Sequence, residues 1–399
     1  MKKVSIIGGG PAALMLAISL DETLFDITIY EKGMAPARKF LVAGDGGFNL
    51  THAEDPELLL SRYIPKGFLD QCIRDFNNRD LQMWLKTIGI ETFVGSSNRV
   101  FPLKQIKPID VLNALLNRIK EKGISIKTKH TWKGWNEQNE LIFEVDEKQM
   151  DITSDYTVFA LGGASWSVTG SDGKWINRFQ EKGIEIVPFE ASNCAVQIDW
   201  DRDFISQAQG QALKNISITC GDLFRMGEVV LTRFGMEGGA IYAMSHAIRM
   251  QLRSGKAALI QLDLKPTLTY EVIHEKFANM GNHSITTVLE QQLKLNKLQV
   301  ALLKTILSKQ EFLDIETLAK RIKQLPISIQ SLGSIDDSIS TVGGIALHEV
   351  NAHFGLKKLP NHFAIGEMLD WDAPTGGYLL QAAFSMGKFV AEHLNYLHK

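Results

Sequence analysis

Residues 2–32 read KKVSIIGGGPAALMLAISLDETLFDITIYEK, and this stretch decides the fold. Val4 to Ile7 is a short apolar run rich in β-branched residues, the pattern of a buried strand. Gly8, Gly10 and Ala13 follow with the spacing G-x-G-x-x-A. Pro11 to Leu20 has helical character, with Pro11 in the first turn, where a missing N–H costs nothing. Asp26 to Tyr30 is a second strand, closed by Glu31, 23 residues after Gly8. Strand, glycine turn, helix, strand and acid in this order make the dinucleotide fingerprint. Gly8 permits the tight turn, Gly10 lets a pyrophosphate approach the backbone, and Ala13 lets the helix pack close to the sheet. The helix N-terminus offers N–H groups and partial positive charge to phosphates. Glu31 is expected to accept hydrogen bonds from the adenosine ribose, and its charge repels a 2′-phosphate, so NADP is not expected here.

Lys2, Lys3 and the apolar run to Leu20 also resemble a signal peptide. Three glycines and a proline interrupt that run, and Ala17-Ile18-Ser19 is a poor cleavage site, so the stretch reads as mature structure. At 399 residues the chain is long enough for two or three domains. A hydrophobic content of 45% with 22% charged residues is that of a globular protein. A formal net charge of −2 gives no electrostatic case for nucleic acid or an anionic membrane as partner. No apolar run reaches the length of a membrane span. Cys72, Cys194 and Cys220 are scattered and form no C-x-x-C, so neither a dithiol redox centre nor a cysteine zinc site is supported. A cytoplasmic location is the expectation.

Residues 33–52 are glycine-rich and leave the second strand as a ligand-lining loop carrying Arg38, Lys39, Asp45, Asn49 and Thr51. Residues 54–92 carry apolar side chains at helical spacing, and Pro108 to Lys122 is a further helix. Ile124–Trp132, Leu141–Val145 and Met150–Ile152 read as strands of a solvent-facing antiparallel sheet. Tyr156 to Leu161 is a buried strand that stops at Gly162-Gly163, and the SWSVTGSDG loop leads on to a helix from Lys174. From about residue 190 the character changes to short strands, and residues 268–325 read as almost entirely helical. FAIGEMLDWDAPTGGYLLQAAFSMG, from Phe363 to Gly387, is a strand ending at Gly366-Glu367, an acidic loop, Gly376-Gly377 and the start of a last helix.

Glycine-terminated strands at 8, 162 and 366 are thus spread over the whole chain. They are easiest to understand as one parallel sheet interrupted by an insertion, with an elongated ligand lying along its carboxyl edge. Seven segments in order carry a family resemblance: GGGPAA, ARKFLVAGDGGFNLT, VFPLKQIKP, ALGGASWSVTGSDG, LTRFGMEGG, STVGGIAL and GEMLDWDAPTGGYLLQAAFSMG. On them the chain resembles the bacterial aminoacetone-oxidase-type family of FAD-binding flavoproteins, which includes the bile-acid-inducible flavoproteins. The resemblance implies an α/β fold, a glutathione-reductase-type Rossmann-like FAD domain at 1–190 plus 337–399. It also implies an inserted small β-barrel at 191–266 and a helical subdomain at 267–336. It places FAD on Gly8, Gly10, Pro11, Ala12, Ala13, Glu31, Lys32 and Lys39. Further contacts are implied at Gly46, Asn49, Leu50, Gly162 and Gly163. Gly366, Glu367, Gly377, Tyr378 and Leu379 close the flavin end, with Glu367 on the ribityl chain. Relatives carry S-G-G-G-R-C-N where this chain has A-G-D-G-G-F-N, Ala43 to Asn49. The missing thiol and guanidinium imply a different substrate.

The implied activity is that of a flavin oxidoreductase acting on a small molecule, with NAD(P)H as a transient visitor, since no second complete fingerprint is present. Asp45, Thr341, His348 and Arg233 are the catalytic candidates, with Glu237 nearby in sequence. Arg233 suits a substrate carboxylate, His348 suits proton transfer, and Gly343-Gly344 reads as a substrate-side loop. Two alternatives stand beside this reading: a flavin-dependent tRNA-modifying enzyme, against which the composition speaks, and a non-catalytic redox-responsive flavoprotein.

Overall fold

The computed structural model describes residues 1–42 and 48–399. The chain divides into two compact units, residues 1–190 with 339–399, and residues 191–338.

The first unit is built on a five-stranded sheet ordered His362–Ala364, Tyr156–Phe159, Lys2–Ile7, Phe25–Tyr30 and Ser125–Lys127. Every pairing in it is parallel, with Val4 between Tyr156 and Ile27. The strands that end at Gly8, Gly162 and Gly366 are therefore immediate neighbours, although the last lies more than 350 residues beyond the first. Helix Pro11–Ser19 is apolar all round, with Ala12 to Ile18 buried. Its neighbour is the 20-residue helix Tyr378–Leu397. A Cβ at Gly387 would stand 2.3 Å from the Ala12 carbonyl oxygen, so the two helix backbones approach as closely as glycine allows. The last carbonyls of the first helix are satisfied from outside. Lys122 donates to Ile18 and Leu20, and Asn395 to Ser19.

Two stretches differ from the sequence reading. The single strand expected over 124–132 is two, Ser125–Lys127 in the parallel sheet and Thr131–Trp135 in a separate antiparallel sheet with Leu141–Val145 and Lys148–Ile152. Lys129 sits at φ 56°, a left-handed turn held by Lys129 N–H to the Gly33 carbonyl and His130 N–H to the Glu31 carbonyl. The long helical stretch expected at 54–92 is three helices, Pro56–Leu60, Asp70–Asp75 and Asn78–Thr87. Asp55 caps the first, and Asn77 starts the third with a reciprocal capping box to Asp80.

The second unit carries an all-antiparallel seven-stranded sheet ordered 325–329, 258–263, 212–220, 223–232, 235–237, 196–197 and 331–332. Its helices share one apolar core with the sheet, in which Ile218, Leu231 and Ile260 join Phe277, Leu303 and Ile322. Strand Leu325–Ile329 closes this sheet after the helices have been made. Among the described residues no helix is long and apolar enough to cross a membrane.

Gly387→Ala forces the two helices apart and is expected to cost about 1–3 kcal/mol of stability, read as a lowered urea midpoint with an unchanged slope. An unchanged midpoint would show that the close helix contact is not under this constraint.

Candidate functional site

A cavity of about 590 Å³ lies along the carboxyl edge of the parallel sheet in the first unit. Of the residues expected to hold a cofactor, Gly8, Gly10, Pro11, Ala12, Glu31, Lys32, Lys39, Gly162, Gly366, Glu367 and Leu379 line it. Gly8, at φ +101°, turns so tightly that a Cβ would stand 2.4 Å from the Ala160 carbonyl oxygen of the neighbouring strand. Gly10 is different: a Cβ there would meet nothing within 4 Å, so the backbone is bare toward the cavity. Glu31 pins this loop, accepting from Gly9 N–H at 2.8 Å and Gly33 N–H at 2.6 Å. Each carboxylate oxygen retains a lone pair.

The other end is tied by a polar knot. Lys39 Nζ lies 2.7 Å from Ser165 Oγ and 3.1 Å from Glu367 Oε2. Glu367 Oε1 accepts from Thr341 N–H at 2.9 Å, and Thr341 Oγ1 accepts from Ala164 N–H at 3.2 Å. A Cβ at Gly163 would fall 2.0 Å from Thr341 Oγ1, so only glycine lets the knot close. Two indoles steady the glycine ends of the strands, Trp175 donating to the Gly162 carbonyl and Trp371 to that of Gly366.

Ala13, Asn49, Leu50, Gly163, Gly377 and Tyr378 are not on the cavity wall. Ala13 and Leu50 are buried completely. Gly377, at φ +99°, presses on the backbone of Thr51, 2.5 Å from where its Cβ would stand. Tyr378 belongs to a separate buried network. Its hydroxyl donates to Glu54 Oε1 at 2.7 Å, its ring stacks on His52 at 5.0 Å, and Arg62 grips both Glu54 oxygens. Burial alone would push the Glu54 carboxyl up, but the bonds from Arg62 and Tyr378 outweigh it and hold the group below its ordinary range. Burial, with the Glu54 charge beside it, pushes the Tyr378 hydroxyl up, so it stays protonated.

The catalytic candidates fare differently again. Thr341 is buried within the knot. His348 is exposed, 3.3 Å from Glu185, and off the wall. Arg233 belongs to the second unit, at the turn before Gly235–Glu237, with its guanidinium 5.6 Å over the Phe234 ring. Gly343 and Gly344 pack against the backbone carbonyls of Pro188 and Met368, so close packing accounts for them. Asp45 and Gly46 lie outside the described residues. The sequence reading missed Trp132 and Ser171. Both line the cavity, and Trp132 Nε1 and Ser171 Oγ are buried without a hydrogen-bond partner. Buried polar atoms are almost always paired. The bare Gly10 backbone beside the Glu31 carboxylate fits a polar, elongated cofactor.

The description "HI0933-like protein Rossmann domain" matches residues 2–393. The chain belongs to this family. It is an FAD-dependent oxidoreductase with a Rossmann-type α/β fold. It is 22% identical over 422 residues to the 3-dehydro-bile acid delta(4,6)-reductase of Clostridium scindens, covering 97% of each chain. To the ribosomal RNA dihydrouridine synthase of Escherichia coli it is 21% identical over 412 residues, covering 98% of this chain and 97% of that one. In structure it is similar to the 3-ketosteroid-delta4-(5alpha)-dehydrogenase of Rhodococcus jostii, with a TM-score of 0.51 and 13% identity over 98% and 96% of the two chains. That likeness is one of fold.

Tyr378→Phe removes a hydrogen bond to a buried carboxylate and is expected to lower stability by about 1.5–3 kcal/mol, while flavin retention on gel filtration stays unchanged. Loss of flavin at unchanged stability would return Tyr378 to the cofactor site. Glu54 carries a depressed carboxyl, so its contribution is full above its ordinary value of 4.5 and fades as pH falls through the folded value. Urea titrations should therefore show wild type more stable than Glu54→Gln at pH 7, with the gap closing as the pH drops below the ordinary value of 4.5. A gap that widens in acid would contradict this pairing.

Proposed function

We propose that this flavoenzyme reduces a carbon–carbon double bond conjugated to a carbonyl in a small organic substrate, with NAD(P)H as the transient electron source. The observation that carries this reading is the chemistry shared by the two full-length relatives. The name of one denotes an unsaturated bile acid oxidised at position 3 as substrate, and that of the other saturation of the uracil ring. In both, the bond acted on is electron-poor because a carbonyl withdraws from it.

Bound FAD supplies the hydride chemistry. The protein's own residues supply the grip. The backbone N–H groups of Gly10 and Ala12 would hold the pyrophosphate, since Pro11 has none and those of Gly8 and Gly9 are spent on Tyr30 and Glu31, and Glu31 would take the adenosine ribose with its free lone pairs. Lys32, paired with Asp172, and Gly162 would border the cofactor, and Lys39 would meet it from its ion pair with Glu367. Gly366 and Glu367 hold the ribityl chain, and Leu379 contacts the flavin end. We assign the cofactor to residues 1–190 with 337–399 and divide the insertion into a β-barrel-like part, 191–266, and a helical part, 267–336, that share one core, strands 325–329 and 331–332 returning from the helices to the sheet. Cys72 and Cys220 are buried thiols, which suits a reducing, cytoplasmic setting.

One observation favours a second reading, in which the conjugated bond belongs to an RNA base. It is the likeness to a ribosomal RNA dihydrouridine synthase. The formal net charge of −2 speaks against it.

The test is anaerobic. NADH or NADPH is expected to bleach the flavin band, and an α,β-unsaturated ketone to restore it. Restoration by RNA rather than by the ketone would establish the second reading, and restoration by neither would overturn the first. Gly10→Val is expected to give a folded but colourless protein, because the added methyls enter open cavity rather than protein. Glu31→Ala, which removes hydrogen bonds worth on the order of 1.5–3 kcal/mol, should weaken retention less. A yellow Gly10→Val protein with full flavin stoichiometry would put the phosphates elsewhere.

A further inference from the structure

Strand Arg99–Pro102 pairs antiparallel with Thr51–His52, setting Arg99 opposite His52. The Arg99 Nε lies 3.6 Å from where a Cβ of Gly376 would stand. The guanidinium thus lies beside Gly376, off the cavity wall itself, in a turn whose chain reaches Leu379 and Leu380 on that wall within four residues. Arg99 is half-buried, yet among the described residues nothing accepts a hydrogen bond or ion pair from its guanidinium. Arg62, Arg74, Arg178 and Arg321 each hold a carboxylate.

No neighbour in this network supplies the missing charge. Glu54 is engaged by Arg62 and Tyr378. Burial, helped by the positive charges of Arg62 and Arg99, pushes the His52 imidazole below its ordinary value despite Glu54 and the Ser97 backbone, and so disfavours a charge there. Tyr378 keeps its proton. A partly exposed guanidinium with donors unspent on protein and cationic or neutral neighbours is open to an anionic oxygen from outside.

We propose that Arg99 is a substrate-binding residue that anchors a carboxylate, and hence that the substrate is an unsaturated carboxylic acid or carries a carboxylate beside its conjugated carbonyl. The proposal rests on the reductase reading above and narrows its substrate class. The planar guanidinium takes both carboxylate oxygens, which a lysine in its place does less well.

The test uses the flavin-loaded protein, with cinnamate as probe and neutral cinnamamide as control. Binding is read by perturbation of the visible flavin band and by thermal shift, neither of which needs turnover. Cinnamate is expected to bind about tenfold or more tightly than cinnamamide, and less tightly as salt rises. Arg99→Gln should remove that preference, leave cinnamamide binding and flavin stoichiometry unchanged, and be partly rescued in Arg99→Lys. Equal binding of the two probes to wild type, no cinnamate binding, or unchanged cinnamate affinity in Arg99→Gln overturns the proposal. Loss of flavin from both Arg99 variants overturns it too, because the guanidinium then serves the cofactor. Failure of the reductase reading is separate: a wild-type protein that NAD(P)H and unsaturated ketones cannot cycle, but that still binds cinnamate through Arg99, keeps the anchor and loses the reaction.

Discussion

The contact between Lys39 and Glu367 is the constraint on which the first unit depends. These residues lie 328 positions apart, and each leaves the carboxyl end of a different part of the same sheet. Their ion pair, shared with Ser165 and the Thr341 backbone, draws four loops to one point. The cavity exists because the loops converge there. Strand pairing and the last helix bring the end of the chain to the amino-terminal fingerprint, and the pair holds the loops of the two together at the cavity. A dinucleotide fold that needs only its first 150 residues has no use for such a tie.

The knot also sorts residues by role. Glycines on this sheet edge serve three different ends. Gly10 bares backbone to the cavity, Gly8 and Gly163 make room for neighbouring protein atoms, and Gly377 lets the last helix start against Thr51. Tyr378, next in sequence to Gly377, turns away from the cavity into a buried carboxylate–guanidinium network. That network fixes the start of the last helix, whose following residues Leu379 and Leu380 reach the cavity wall. It therefore positions the site without touching what the site holds. Arg99, which the network leaves uncompensated, is where charge from outside is called for.

Much of this was legible in the sequence. The order strand, glycine turn, helix, strand, acid dictated the amino-terminal half, and three glycine-terminated apolar runs announced one sheet. Period and glycine placement reach that far because they report local geometry. They do not report which polar groups meet across hundreds of residues. Lys39 and Glu367 were each expected at the cofactor, but their bond to one another carries no local signature. A single left-handed residue, Lys129, split a continuous alternating run into strands of two sheets. Trp132 looked like one more apolar strand position, and only burial without a partner marks its indole nitrogen. Gly343-Gly344 looked like a ligand loop because paired glycines make the same pattern wherever backbone must pass close to backbone.

The central claim is that distant segments form one binding surface for one cofactor. Hydrogen–deuterium exchange of the FAD-free against the FAD-loaded protein tests it most directly. The account predicts simultaneous protection of residues 8–12, 160–163, 365–367 and 379–383. Protection confined to residues 8–37, with the carboxyl-terminal segments exchanging as before, would contradict it.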